Sequence, residues 1–239
     1  MAPKVLVVLT SFGHIEAANS PTGWYLLTNI APVRQPELAH PYNVLAPKTE
    51  LVMALPKGGE APLDPSSVKA FAQDAESVEF LKSKTDVWKN TQKLSAFRGK
   101  AAEFDALFYP GGHGPMFDLA TDADSIALIQ EFVAAGKPVA AVCHGPAVFT
   151  DVTLPDGTPL LKGKEATGFS NVEEDQAQMT KLMPFLLEDK IKEVGATYKK
   201  ADEAWGPLVL SVDSGKLITG QNPASAKGVG EAILKAIGL

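Results

Sequence analysis

One cysteine in 239 residues is the first scarcity of this chain. A lone thiol cannot close an internal disulfide, so the sequence is not a small secreted scaffold stapled by bridges, and it fits a reducing compartment. The cytosol is the default location, with the nucleus compatible on the same ground. Basic residues are also in short supply: 22 Lys and Arg against 28 Asp and Glu leave a net charge of -6. A nucleic-acid partner therefore lacks electrostatic support, and a small-molecule or protein partner fits better. No apolar run approaches the ~18 residues that a membrane span needs, so no membrane partner is expected. The opening "MAPKVLVVLTSFGH" sets a lysine before an apolar run, as a signal peptide does. The run is shorter than the apolar core of such a peptide, and it reads as a first buried strand, Val5 to Leu9. Low-complexity blocks and internal repeats are lacking, and so are CxxC or HxxxH metal spacings, a phosphate loop and a GxGxxG fingerprint. The stretch "PGGHGP" has neither that fingerprint's spacing nor its acidic partner. No cofactor and no metal are expected.

The apolar content is ordinary for a globular protein, and the length suits one α/β domain spanning residues 1–239. Short apolar, β-branched runs recur at "KVLVVLTS", "ELVMALP", "DALFYPGG", "PVAAVCHG", "LVLSVD" and "KLITG", each bounded by Gly, Pro or Asp. Without polar alternation they read as strands covered on both faces. Helical patterns lie between several of them. In "TDADSIALIQEFVAAG", Asp122 or Asp124 caps the start, Ile126, Ile129 and Val133 share a face, and Gly136 supplies the stop. This alternation predicts a flavodoxin-like, doubly wound, mostly parallel sheet with helices on both faces. Residues 60–104 are richer in charge and in helix formers, with "LDPSSVKAF" offering an Asp cap and a first-turn Pro, and are expected to form a small inserted lid.

In such sheets ligands bind beyond the carboxyl ends of the strands, which selects "YPGGHGP" (109–115) and "AVCHGPA" (141–147). Val139 to Val142 form a buried strand, Gly145 permits a tight turn and Pro146 suits the first turn of a helix. Cys143 then occupies a nucleophile elbow, near a helix N-terminus that favours thiolate and in front of backbone N–H groups able to hold an oxyanion. The alternative is a small core hydrophobe. Histidine is scarce too: His14, His40, His113 and His144 are the whole supply of bases, and none follows His144. A class I glutamine amidotransferase would need a later His-x-Glu, so glutaminase chemistry is disfavoured. His144 adjoins the thiol; His113 lies on the neighbouring strand-end loop, as a pocket residue or as a turn histidine.

Taken together, "AAVCHGPAVF", "YPGGHG", "ATGFSNVEE" and "ITGQNPASA" resemble the DJ-1/ThiJ/PfpI superfamily in its heat-shock-chaperone and glyoxalase III-like branch, and "PKGGEAPLDPSS" and "PELAHPYNVLAP" add to the match. The resemblance implies that Cys143 is the nucleophile and His144 its base. It puts the acidic third member on Glu174, with Glu173 as the neighbouring alternative. Gly112 and the backbone of His144 are the implied oxyanion donors, His113 lies with them at the substrate, and Trp205 either walls the pocket or is an ordinary buried aromatic. The branch also keeps a glutamate that hydrogen-bonds the thiol. Counting from Gly23 reaches Thr28, whereas Glu37 in "PELAHPY" has the expected context if residues 27–35 are an insertion.

By the same resemblance the chain is a glutathione-independent glyoxalase that turns methylglyoxal, a small reactive aldehyde, into lactate through a cysteine hemithioacetal. Deglycase activity is a variant at the same site. The competing readings are a holdase chaperone or redox sensor with a dispensable cysteine, a small-molecule hydratase or hydrolase, and, last, a peptidase. A homodimer is implied by the relatives alone.

Overall fold

The computed structural model describes residues 2–24, 37–65, 68 and 75–239. The segment 27–35, with Thr28 inside it, and most of "PSSVKAF" lie outside the described residues.

Each of the apolar runs becomes a strand of one sheet: β1 (Lys4–Val8), β2 (Glu50–Leu55), β4 (Ala106–Tyr109), β5 (Val139–Val142), β6 (Val209–Val212) and β7 (Leu217–Gly220). A two-residue strand, β3 (Gln92–Lys93), joins at the edge. The spatial order is β6-β7-β5-β4-β1-β2-β3. Neighbours run parallel except for the β6–β7 hairpin. Every residue of β4, β5 and β7 is buried, which requires cover on both faces and explains why these strands read as unbroken apolar runs. The β6 run differs, being only half-buried because it is the antiparallel edge. Segment 60–104 holds α2 (Ala75–Ser83) and α3 (Asp86–Lys89) and then β3. Phe80, Trp88, Leu94 and Phe97 anchor it in the core.

Among the other helices, α1 (Ala39–Leu45) packs on α6 (Ala226–Ala236), and α6 lies against β7. In α4 (Ala123–Ala134) the cap is Asp122, whose side chain accepts from the Ser125 N–H at 2.8 Å; Asp124 pairs with Arg98 instead. Its buried stripe is Leu128, Ile129 and Phe132, so Ile126 and Val133 flank the core rather than define it. No helix among the described residues is long and apolar enough to cross a membrane.

Parallel pairing puts the carboxyl ends of β1, β4, β5 and β7 on one rim. That rim gathers Thr10–Ser11, Gly111–His113, Cys143–His144 and Gln221–Asn222 from four separate parts of the chain. Asp118 ties two of these loops together, accepting from Thr10 Oγ1 at 2.8 Å and from the Ser11 N–H at 2.7 Å.

Candidate active site

At the end of β5 the chain turns through Cys143, which holds φ = 62°, a left-handed conformation uncommon for a residue with a Cβ. Two backbone bonds hold it there: the Cys143 N–H donates to the Gly220 carbonyl at 3.0 Å, and its own carbonyl accepts from the Phe169 N–H at 2.9 Å. The left-handed residue of the turn is thus Cys143 itself, the expected nucleophile. Gly145 serves close approach instead, since a Cβ there would stand 2.5 Å from the Tyr109 carbonyl oxygen. Pro146 begins a short 3-10 helix, Gly145–Phe149.

His144 follows, and its Nδ1 lies 3.5 Å from Cys143 Sγ. Its Nε2 lies 2.7 Å from Glu174 Oε2, and the other oxygen of the same carboxylate lies 3.3 Å from His113 Nε2. Both imidazoles, the carboxylate and the thiol are buried. His144 also stacks on Phe169 at 4.3 Å between ring centroids, and Phe169 meets Trp205 edge-on at 5.3 Å. Trp205 therefore supports His144 through Phe169.

Glu174 stands in the first turn of α5 (Asn171–Gln176), capped by Ser170 in a reciprocal box with Glu173. The two glutamates are cleanly divided. Glu173 is saturated: Oε2 accepts from Ser170 N–H and Oγ, and Oε1 from Trp205 N–H, Gln221 Nε2 and Asn222 Nδ2, all at 2.7–2.9 Å. It ties α5, the Trp205 loop and the loop after β7 into one frame, leaving Glu174 to face the histidines.

Glu37, directly before α1, is fully buried beside the thiol. A Cβ on Gly111 would come within 2.4 Å of Glu37 Oε2 and 2.8 Å of Cys143 Cβ, so the bare Gly111 backbone is what lets these groups share the space. The contacts are loose: neither Glu37 oxygen makes a hydrogen bond of good geometry, while the thiol and the N–H groups of Gly111 and Gly112 lie near enough to act on it. Loss of hydration dominates and pushes its carboxyl up to about 8. Glu37 is therefore a carboxylic acid at neutral pH, as a donor to sulfur must be. The Gly112 N–H, an expected oxyanion donor, acts on this carboxyl.

For Cys143 the expected depression is not found. Burial first, and then the nearby carboxylate of Glu37, push the thiol well above its ordinary value. A five-residue 3-10 turn offers little helix dipole to oppose them. Below about pH 8 Glu37 is neutral, its repulsion of a thiolate disappears, and its O–H can donate to sulfur. Burial holds His144 below its ordinary value despite the attraction of Glu174. Burial acts to raise the Glu174 carboxyl, but the attraction and hydrogen bonds of the two imidazoles outweigh it and keep Glu174 well below the usual carboxylate range. An ionised carboxylate can only accept, so His144 Nε2 carries the ring proton and Nδ1 presents its lone pair to the thiol.

His14, exposed in a short strand, and His40, paired with Glu76 at the surface, take no part. Gly111, Phe169, Ser170, Gln221 and Asn222 are the residues that sequence reasoning missed. Ser170 carries a readable signal, the S-x-x-E box; the others act through packing or a single side-chain amide and leave none. Although no metal was expected from the sequence, ligand atoms of His113, His144 and Glu174 lie within 4.8 Å of one another, a grouping found among the described residues.

Residues 68–236 match the DJ-1/PfpI family. A glutathione-independent glyoxalase of Saccharomyces cerevisiae is 32% identical over 95% of this chain and 94% of its own length. Among solved structures, the 24 kDa rapid encystment protein of Francisella tularensis superposes with a TM-score of 0.87 at 34% identity, covering 98% of this chain and 99% of that one. Glyoxalase III of Candida albicans does so with a TM-score of 0.85 at 29% identity, covering 98% and 97%. A family match across most of the chain, and relatives that align from end to end with the same fold, place this protein in the DJ-1/PfpI family.

Proposed function

We propose that this protein is a glutathione-independent glyoxalase converting methylglyoxal to lactate, with Cys143 as nucleophile, His144 as proton carrier, and Glu174 and Glu37 in support. One observation carries the reading: a buried imidazole with Nδ1 3.5 Å from a thiol and its opposite nitrogen fixed 2.7 Å from a carboxylate. The relatives named as glyoxalases supply the substrate class.

Sulfur attacks the aldehyde carbon while His144 Nδ1 takes the thiol proton and returns it to the aldehyde oxygen, giving a hemithioacetal. The same nitrogen then removes the C1 hydrogen. The electrons pass into an enediol, and the proton returns at C2, which leaves a lactoyl thioester on Cys143. Water cleaves that thioester, releasing lactate and regenerating the thiol. The N–H groups of Gly112 and His144 are the proposed donors to the oxyanions, and Glu37 as an acid lowers the charge on sulfur whenever it leaves. His113, on the second oxygen of Glu174, holds that carboxylate square to His144.

A holdase reading finds little surface to work with: among the described residues only Val172 and Leu239 are large hydrophobics that are exposed. The lone thiol keeps the proposal in a reducing compartment, the cytoplasm.

Lactate formation from methylglyoxal without glutathione tests the reading. The native chain is expected to turn over, Cys143→Ser to fall to the buffer rate, and Glu37→Gln to lose roughly tenfold or more. Equal turnover by Cys143→Ser and the native chain would sink the thiol mechanism.

A further inference from the structure

We propose that His113, His144 and Glu174 form a site for a divalent transition metal of the zinc type, whose occupation switches the thiol site off. Binding stands on the geometry alone; the inhibitory consequence rests on the function proposed above.

The three ligand atoms lie within 4.8 Å of one another, all buried, and come from the loop after β4, the turn after β5 and the first turn of α5. Zinc bonds of about 2.0–2.1 Å in a tetrahedron put neighbouring ligand atoms roughly 3.3 Å apart. The contact of Glu174 Oε1 with His113 Nε2, 3.3 Å, already matches that spacing, and that of Oε2 with His144 Nε2, 2.7 Å, is shorter and would open as an ion entered. Two imidazoles and one carboxylate are a sufficient protein set for zinc, with a fourth position left for water or substrate.

Outer contacts that a bound ion requires are built in. The Ser170–Glu173 box fixes the helix turn bearing Glu174, and Phe169 stacks on the His144 ring. Charge points the same way. Glu173 and Glu174 are consecutive buried carboxylates; among the described residues every donor to Glu173 is an uncharged amide, hydroxyl or backbone group, and the ion pairs of Glu174 are with the two histidines. A dication neutralises this excess where only imidazole protons now do so.

Metal on His144 Nε2 displaces the proton now on that nitrogen, and the neutral ring then carries its proton on Nδ1, the nitrogen facing Cys143. The lone pair that accepts the thiol proton is gone, although neither the thiol nor its pocket is touched. This predicts reversible inhibition by a metal that does not ligate sulfur.

Metal-free full-length protein titrated with Zn2+ against a chromophoric chelator, in the absence of substrate, is the test. One ion per chain is expected for the native protein and for Cys143→Ser alike. Affinity should fall by at least about tenfold in His113→Asn and in Glu174→Gln. X-ray absorption at the zinc edge of the native protein, which needs no variant to fold, should show nitrogen and oxygen neighbours without sulfur. Unchanged affinity in His113→Asn, loss of binding in Cys143→Ser, or a sulfur neighbour at the zinc edge would each overturn the site. In a separate lactate assay, Zn2+ should inhibit and a chelator should restore the rate. Stoichiometric binding without inhibition would remove the switch and keep the site, and an inactive native chain that still binds zinc at these residues would count against the glyoxalase reading alone.

Discussion

Glu37 is a buried acid with no cation acting on it among the described residues, and its pH behaviour follows from that. In the folded chain its carboxyl is pushed up to about 8 from an ordinary value of 4.5, so between those values the native state binds a proton that the unfolded state does not. Its stability contribution is full below pH 4.5 and is lost as pH rises towards 8. Glu37→Gln removes the titration. The Tm of the variant relative to native should therefore rise between pH 5 and pH 8, by an amount on the order of several kcal/mol in stability. A constant difference would show that Glu37 is not protonated in the fold. The same ionisation should make native turnover decline above about pH 8, a limb measurable in the pH–rate profile of kcat/KM. Gly111 belongs to this scale as well. Gly111→Ala forces a Cβ within 2.4 Å of Glu37 Oε2 and 2.6 Å of the Val142 carbonyl oxygen. A cost of about 1–3 kcal/mol is expected, with activity falling further than Tm because Glu37 and Cys143, the groups of the proposed site, are among those that must move.

At the scale of an element, α5 is only six residues long, too short to hold itself in place, yet it must deliver Glu174 to within 2.7 Å of His144. Glu173 does the holding, through five acceptor bonds to three segments. Glu173→Gln keeps the volume but turns one end of the group into a donor facing donors. About 1–3 kcal/mol should be lost, or roughly 2–10 °C in Tm for a chain of this size. Trp205, which hangs from Glu173 by its backbone N–H and sits at φ = 67°, should shift its emission to the red as its loop loosens. Unchanged Tm and emission would remove Glu173 from this role. The S-x-x-E pattern made the cap legible, and "VEE" narrowed the acid to two positions. The family resemblance put the acid on Glu174; the local pattern alone did not choose, because one residue along a helix turns a side chain by about 100°, and the frame that sets the helix's roll comes from Gln221 and Asn222, far along the chain.

Across the whole molecule the raised and lowered carboxyls act in opposite directions. Asp118, pushed up to about 6 mainly by burial, contributes stability that is lost as pH rises from 3.8 to 6, and Glu37 loses its own between 4.5 and 8. Glu174 is held low, so its contribution is present above 4.5 and disappears only in stronger acid. The net charge of -6 at pH 7 adds self-repulsion that grows above the isoelectric point near 5.3. The Tm should peak near pH 5 and fall steadily to pH 8 in a melting series at constant ionic strength; a maximum at or above pH 7 would contradict the burial of these acids.

The sequence alone determined the sheet, because strands buried on both faces must be unbroken apolar runs and the runs at 4–8, 106–109, 139–142 and 217–220 can be nothing else. It also determined the elbow, since a thiol between a buried strand and Gly-Pro has one natural placement. Only the tertiary structure decided the edge strand at Gln92–Lys93, the division of labour between Glu173 and Glu174, and the protonation of the site. The physical reason is common to all three. Strand character is local and written in neighbouring residues, whereas hydration lost, carboxylates approached and donors aligned depend on parts of the chain that only the fold brings together. For that reason Cys143, which local sequence casts as a thiolate, rests in this fold as a buried thiol beside His144 and Glu37.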